Sequence, residues 1–135
     1  METTVSLVQM LDARERRVQH QQELLARYHK PLICFTMNIC GPIKDSPLIR
    51  RGFARGRQLL RQQFLRAKLT PLYQDAVREV TGCEAFYVLD ADPLTIKKFT
   101  TDIEDATPLG RLFDMDVIRP VSYTHLRAHE TDQYL

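Results

Sequence analysis

The residues with the clearest chemical potential are two aspartates, Asp114 and Asp116, within the segment 108–118. A Pro-Leu-Gly turn signal opens this segment, and the residues after it predict a β-strand. Side chains alternate between the faces of a strand, so Leu112 and Ile118 share a face with both aspartates. The opposite face is apolar and is expected to be buried; it carries Phe113, Met115 and Val117.

Two carboxylates at this spacing suit a metal ion. In a strand they lie about 7 Å apart, so oxygens from both could converge on one divalent cation. Mg²⁺ prefers one or two carboxylates together with substrate phosphates, which indicates phosphoryl or nucleotidyl transfer. The alternative is a half-exposed strand whose aspartates are simply solvated.

A second candidate site is the loop 41–46, Gly-Pro-Ile-Lys-Asp-Ser, between a predicted buried strand and a predicted helix. The N-terminus of a helix favours an anion, and Lys44 and Ser46 add a charge and a hydroxyl. Arg50 and Arg51 follow closely, and guanidinium groups bind phosphate oxygens in bidentate fashion. The glycine spacing is not that of a Walker A loop. The alternative is a plain turn in which Ser46 caps the helix.

The composition indicates a single domain of ordinary globular character. The chain has 135 residues and a net charge of +2, which is too small to imply a polyanionic partner. Three cysteines, Cys34, Cys40 and Cys83, lack metal-type spacing and are predicted to be buried thiols in a reducing compartment. The sequence shows neither a membrane span nor a signal-peptide core, so we expect a cytoplasmic protein with no membrane partner.

Capping and turn signals divide residues 1–121 into elements in the order αβααβαβ, a single layered domain of α/β or α+β class. The predicted helices cover about 6–28, a stretch beginning at Pro47 behind Ser46, residues 71–80 between Thr70-Pro71 and Gly82, and a stretch beginning at Asp92-Pro93. The predicted strands cover 32–40, 83–89 and the aspartate segment.

The helix that begins at Pro47 is strongly basic. Between Arg50 and Lys68 there are seven basic residues and no acidic one. Its predicted apolar stripe is formed by Ile49, Phe53, Leu60 and Phe64, with Gly56 on the same stripe to permit close approach of a neighbour. The basic residues also suggest an alternative function, in which the protein is a non-catalytic module that binds nucleic acid or an acidic protein through this helix. Because aromatic residues do not interleave with the arginines, nucleic acid is not the expected partner.

Residues 122–135 are predicted to be a non-native tail. The stretch 122–131, Ser-Tyr-Thr-His-Leu-Arg-Ala-His-Glu-Thr, resembles a peptide translated from sequencing-adapter DNA. His125 and His129 stand four residues apart, but a peptide of this origin is not part of the evolved protein, so we do not expect them to be metal ligands.

Three blocks together resemble the holo-citrate lyase synthase family, also called apo-citrate lyase phosphoribosyl-dephospho-CoA transferase. The blocks are the loop 41–46, Arg50-Arg51-x-Phe53-x-x-Gly56, and residues 108–117. The resemblance covers about residues 24–121. Members of the family continue beyond the aspartate strand, so the resemblance implies a C-terminally truncated chain.

The resemblance implies an enzyme that attaches a prosthetic group by nucleotidyltransferase chemistry. Its donor is 2′-(5″-triphosphoribosyl)-3′-dephospho-CoA, and the phosphoribosyl-dephospho-CoA group passes to a serine of the citrate lyase acyl carrier (gamma) subunit with release of pyrophosphate. Asp114 and Asp116 resemble the carboxylate pair that binds Mg²⁺ or Mn²⁺ and are the expected catalytic residues. The expected substrate-binding residues are Gly41, Lys44, Asp45, Ser46, Arg50, Arg51 and Arg111.

Asp45 is expected to orient its neighbour Lys44 rather than to perform chemistry. An analogous transfer to the carrier subunit of malonate decarboxylase is a second enzymatic interpretation, and the motif of the loop 41–46 favours the citrate lyase type.

Overall fold

The computed structural model describes residues 3–120 and 132–134. In these residues, three helices and five strands follow one another along the chain. They are α1 (Leu7–Tyr28), β1 (Leu32–Met37), α2 (Pro47–Arg66), β2 (Tyr73–Glu79), β3 (Gly82–Val88), α3 (Pro93–Ala106), β4 (Phe113–Pro120) and β5 (Asp132–Tyr134), with a short 3₁₀ helix at Pro108–Leu112.

The five strands form one sheet in the order β2-β3-β1-β4-β5. Every neighbouring pair is antiparallel, including the central pairs β1–β3 and β1–β4. Helices packed on an antiparallel sheet define an α+β domain, so the mixed, single-domain class expected from the sequence is confirmed.

The sheet lies between helices on its two faces. Alternate side chains of β1 separate into two clusters, with Ile33 and Phe35 on one face and Leu32 and Cys34 on the other. The first face packs against the buried residues of α2 and α3, namely Phe53, Leu60, Phe64, Ile96 and Ile103. The second face packs against Leu24 and Leu25 of α1. We call them the α2/α3 face and the α1 face.

The predicted starts of α1 and α2 are confirmed. Ser6 caps α1 through a capping box, in which its hydroxyl accepts from the Gln9 amide at 3.1 Å and the Gln9 side chain accepts from the Ser6 amide at 2.8 Å. Ser46 caps α2 by accepting from the Ile49 amide at 3.2 Å, with Pro47 following it.

Gly56 lies where α2 crosses β1, as its place on the apolar stripe indicates. A Cβ at this position would lie 2.4 Å from Cζ of the buried Phe35 ring. The missing side chain therefore lets the helix approach the sheet closely, which offsets the low helix propensity of glycine.

The predicted helix over 71–80 is wrong, because these residues form β2 and part of its hairpin with β3. Along β2, the half-buried Tyr73 and Asp75 alternate with the exposed Gln74 and Ala76, as in an edge strand. Gly82 has φ +126° and turns the hairpin, whereas the sequence suggested the C-cap of a helix. The observed order is therefore αβαββαββ.

The predicted non-native tail lies outside the described residues, apart from 132–134. Those three residues form β5, which pairs with Ile118–Pro120 of β4. The boundary near residue 121 and the interpretation of His125 and His129 stay predictions. None of the helices in the described part of the chain has the length and apolarity that a membrane span requires.

Candidate active site

Strand β4 places Asp114 and Asp116 on the α1 face of the sheet, as its alternating pattern predicts. Phe113, Met115 and Val117 are buried on the opposite face, at 4%, 1% and 1% exposure. Across β1, Asp114 lies opposite Thr36 and Asp116 lies opposite Cys34. The two aspartates thus stand side by side on an open part of the sheet.

The two carboxyl groups interact directly. The surrounding protein desolvates Asp116, and this is the largest cause that raises its pKa to about 6. The charge of Asp114 and a hydrogen bond between the two side chains raise the pKa of Asp116 further. Two negative charges held this close repel each other, and either a proton or a bound cation relieves the repulsion.

Glu104 and Lys97 of α3 extend this cluster at the outer edge of β4. The Glu104 carboxylate accepts a hydrogen bond from the Met115 amide, between the two aspartates in sequence. Burial is the main cause that raises the pKa of Glu104, and Lys97 lowers the pKa of both Glu104 and Asp116. Sequence reasoning missed both residues, although their separation of seven places them on one side of α3.

Beside the aspartates, α1 contributes a second set of polar contacts. Arg17 forms an ion pair with Glu84 at 2.8 Å, and Gln21 is hydrogen-bonded to Cys34. Burial raises the pKa of the Cys34 thiol to about 12, which favours its protonated form over the nucleophilic thiolate. Cys83 is also buried, but Cys40 is exposed, so the expectation that all three cysteines are buried is wrong for Cys40.

The loop 41–46 joins β1 to α2 and holds several predicted phosphate-binding residues in fixed positions. Gly41 has φ +86°, which requires the conformational freedom of glycine. The Lys44 ammonium donates to the Ile39 carbonyl. Ser46 is buried and caps α2, so its hydroxyl has a structural partner.

Asp45 does not orient Lys44, and that expectation is wrong. Its carboxylate accepts two hydrogen bonds from Arg50, from Nε and Nη2, each at 2.9 Å. These bonds hold the pKa of Asp45 below its usual range. A bidentate guanidinium pair is stronger and more directional than a contact with the flexible ammonium of Lys44.

The loop and the aspartates lie at the same end of the sheet. The Asn38 amide, just beyond β1, donates to the Leu112 carbonyl, just before β4, at 2.7 Å. The loop begins three residues after Asn38, and the exposed Arg111 precedes Leu112. Arg51 is exposed in the first turns of α2. Within residues 3–120, no hydrogen bond or ion pair joins the loop to the aspartate pair.

The donor set fits a hard divalent cation that retains open coordination positions. Over the ranges 3–120 and 132–134, no cluster of three or more histidine, cysteine or acidic side chains could enclose a metal ion. The pair Asp114 and Asp116 offers carboxylate oxygens only, which is the ligand type that Mg²⁺ takes together with water and phosphate.

Comparison with known proteins agrees with the resemblance seen in the sequence. A family model described as apo-citrate lyase phosphoribosyl-dephospho-CoA transferase matches residues 5–131. The chain belongs to the apo-citrate lyase phosphoribosyl-dephospho-CoA transferase family. The predicted family is therefore confirmed, and the binding module considered as an alternative is not favoured.

The chain is also similar to individual relatives, two of which carry the same description. The apo-citrate lyase phosphoribosyl-dephospho-CoA transferase of Citrobacter koseri is 36% identical over 125 residues, which cover 93% of this chain and 68% of the relative. The Escherichia coli enzyme of that name is 35% identical over 116 residues, 86% of this chain and 63% of the relative. Protein CitXG of Haemophilus influenzae is 34% identical over 114 residues, 84% of this chain and 24% of the relative.

The chain thus spans about two thirds of the length of the transferases that it matches. All the predicted site residues fall within the span of the family match.

Proposed function

We propose that this chain transfers a phosphoribosyl-dephospho-CoA group to apo-citrate lyase. The observation that carries the proposal is the pair of interacting carboxylates on β4, in a chain that belongs to a family named for that transfer. Because the chain spans only part of its relatives, the complete reaction is assigned to it here as a proposal.

The proposed donor is 2′-(5″-triphosphoribosyl)-3′-dephospho-CoA, and the proposed acceptor is a serine of the acyl carrier (gamma) subunit. The serine Oγ forms a bond to the α-phosphorus of the triphosphate, and the bond from that phosphorus to the pyrophosphate oxygen breaks. The serine proton passes to a base, and pyrophosphate leaves. A transfer of this kind is a nucleotidyltransferase-type reaction.

Asp114 and Asp116 would hold Mg²⁺ or Mn²⁺ in this proposal. When bound, such an ion neutralises charge on the triphosphate. One carboxylate of the pair would also help to take up the serine proton. Lys97 and Glu104 set the charge around the pair from the edge of β4.

The departing pyrophosphate is assigned to the loop 41–46 and the start of α2, together with Arg111. Arg50 is held in place by Asp45 through Nε and Nη2, which leaves Nη1 for an anion. Lys44, Arg51 and Gly41 would complete this surface by charge and by close backbone approach.

Free thiols at all three cysteines support a reducing, cytoplasmic location within the same proposal.

Pyrophosphate release tests the assignment of the aspartates. We expect Asp114→Asn and Asp116→Asn each to slow release by about 10²-fold or more, since the loss of one charge-stabilising group commonly has this effect. The matched control is Asp12→Asn, which removes an exposed carboxylate from α1. Equal rates in all three variants, each shown to be folded by circular dichroism, would remove the aspartates from the mechanism.

A further inference from the structure

A second concave site lies on the α2/α3 face, on the opposite side of the sheet from Asp114 and Asp116. It is a groove of about 600 Å³ between α2, the segment after it, and the strands β2 and β3. This volume is within the range of small-molecule sites. Its lining includes Arg57, Arg61, Leu65, Leu69, Gln74 and Tyr87.

Arg57 is held in a fixed orientation in this groove. Its Nε donates to the hydroxyl of Tyr87 at 2.9 Å, and its guanidinium carbon lies 5.9 Å from the centre of that ring. Tyr87 is itself 3% exposed, so the anchor is rigid. With Nε bonded to Tyr87, the two terminal nitrogens of Arg57 form the end-on edge of the guanidinium, which can bind a carboxylate or phosphate in bidentate fashion.

The positive charge of the groove is not compensated by neighbouring carboxylates. In the described part of the chain, neither Arg57 nor Arg61 forms an ion pair. Arg61 follows Arg57 by four residues, so both guanidinium groups lie on one side of α2. Two uncompensated arginines side by side favour an anion.

The remainder of the lining is apolar or neutral. Leu65 is exposed and Leu69 is half-buried, and together they form an accessible apolar surface beside the arginines. Gln74 lies opposite Tyr87 in the pairing of β2 with β3. A free inorganic anion would leave this apolar area unused, whereas an anion with an apolar body would cover it.

We propose that this groove binds a small organic anion, in which a phosphate or carboxylate head is joined to an apolar or aromatic body. The head contacts Arg57 and Arg61, and the body lies on Leu65 and Leu69. The site is separate from the proposed active site, because the sheet lies between the two. It therefore stands or falls independently of the transferase proposal.

The test is a titration of the ¹⁵N-labelled protein with phenyl phosphate, followed by amide chemical shifts. We expect saturable shifts at Arg57, Gln74 and Tyr87. Arg57→Leu and Arg61→Leu should each weaken binding by about tenfold or more, since a charge-assisted hydrogen bond is lost. Arg66→Leu is the matched control, because it removes the same charge from an exposed position of α2 outside the groove.

A further variant and a second probe define how the ligand is bound. Tyr87→Phe keeps the ring and removes the anchor of Arg57, and we expect it to weaken phenyl phosphate binding while the fold is retained. Phenylacetate in place of phenyl phosphate distinguishes a carboxylate head from a phosphate head; saturable binding of either supports the groove.

Three outcomes would overturn the proposal. They are an absence of shifts in the groove, an equal loss of affinity in Arg66→Leu, and binding of inorganic phosphate as tight as that of phenyl phosphate. Shifts confined to residues 41–50 would likewise place the anion at the proposed active site and not in the groove.

Discussion

Among single residues, Asp116 interacts with Asp114 through both charge and a side-chain hydrogen bond. The pKa of Asp116 is raised to about 6 by desolvation first and by Asp114 second. Its folded pKa therefore lies above the ordinary value of 3.8. The folded state binds more protons than the unfolded state between these two values, so folding stability falls as the pH rises through this interval.

This shift predicts a stabilising variant. Asp116→Asn removes the repulsion, so we expect its melting temperature to exceed that of the wild type at pH 7.5. The difference should shrink at pH 5.0, where part of the Asp116 population is already protonated in the folded protein. Thermal unfolding of both proteins at the two pH values checks the sign. An equal rise in melting temperature at both pH values, or a lower melting temperature at pH 7.5, would show that repulsion between the two carboxylates does not destabilise the protein.

Other residues could not be assigned from the sequence because their partners are not their neighbours in the chain. Asp45 is next to Lys44 in sequence, yet it binds Arg50 one helical turn away. Glu104 is ten residues before Asp114, and only the fold brings its carboxylate to the Met115 amide. Residue type indicated possible chemistry, whereas pairing was decided by tertiary structure.

At the scale of elements, the outer edge of β4 controls the position of the aspartate pair. Strand β5 covers only Ile118–Pro120 of that edge, and the Glu104 side chain takes the place of a strand partner at Met115. Gly110 allows a tight connection between α3 and β4, since a Cβ there would lie 2.3 Å from the Glu104 carbonyl oxygen. The end of α3 and the start of β4 are thereby held together.

The edge contact predicts a difference between two substitutions. Glu104→Ala leaves the Met115 amide without its protein acceptor and should lower the free energy of unfolding by about 1 kcal/mol. Glu104→Gln keeps an acceptor oxygen and should restore most of that loss. Urea unfolding of both variants, with Asp105→Ala as the exposed control, provides the measurement. Identical stabilities for Ala and Gln would mean that the hydrogen bond contributes nothing.

The contact between α2 and β1 gives a second prediction at this scale. Gly56→Ala places a Cβ 2.4 Å from the buried Phe35 ring, and we expect a loss of about 1–3 kcal/mol from overpacking. Gly52→Ala is the matched control on the same helix, because its Cβ meets the flexible end of Met37 at 3.1 Å. Chemical unfolding of the two variants should separate them, and a Gly56→Ala protein as stable as the Gly52→Ala protein would contradict the packing described here.

For the whole molecule, the sequence predicts most elements because their ends carry local signals. Ser6, Ser46 and the Asp92-Pro93 pair mark the starts of all three helices, although the Asp92 side chain makes no capping hydrogen bond. The strand β2 was missed for a physical reason. A threonine-proline pair and a later glycine are compatible with both a helix and a hairpin, and pairing with β3 decides between them.

The strand order could not be predicted either, because it depends on long-range pairing. That order explains the arrangement of the two proposed sites. The central strand β1 lies between β3 and β4, so the aspartates and the Arg57 groove fall toward opposite edges of one sheet. The alternation of side chains along the strands places them on opposite faces. The same scaffold can thus hold a charged reaction site and a separate anion groove.

The measurement that tests the central claim most directly is the intact mass of the apo citrate lyase carrier subunit. The carrier is incubated with this chain, the triphosphoribosyl-dephospho-CoA donor and Mg²⁺. We predict a mass gain equal to one phosphoribosyl-dephospho-CoA group, lost with EDTA and with Asp114→Asn but retained with Asp12→Asn. An unmodified carrier in a reaction that a full-length relative completes under the same conditions would contradict the assignment of this activity to the chain.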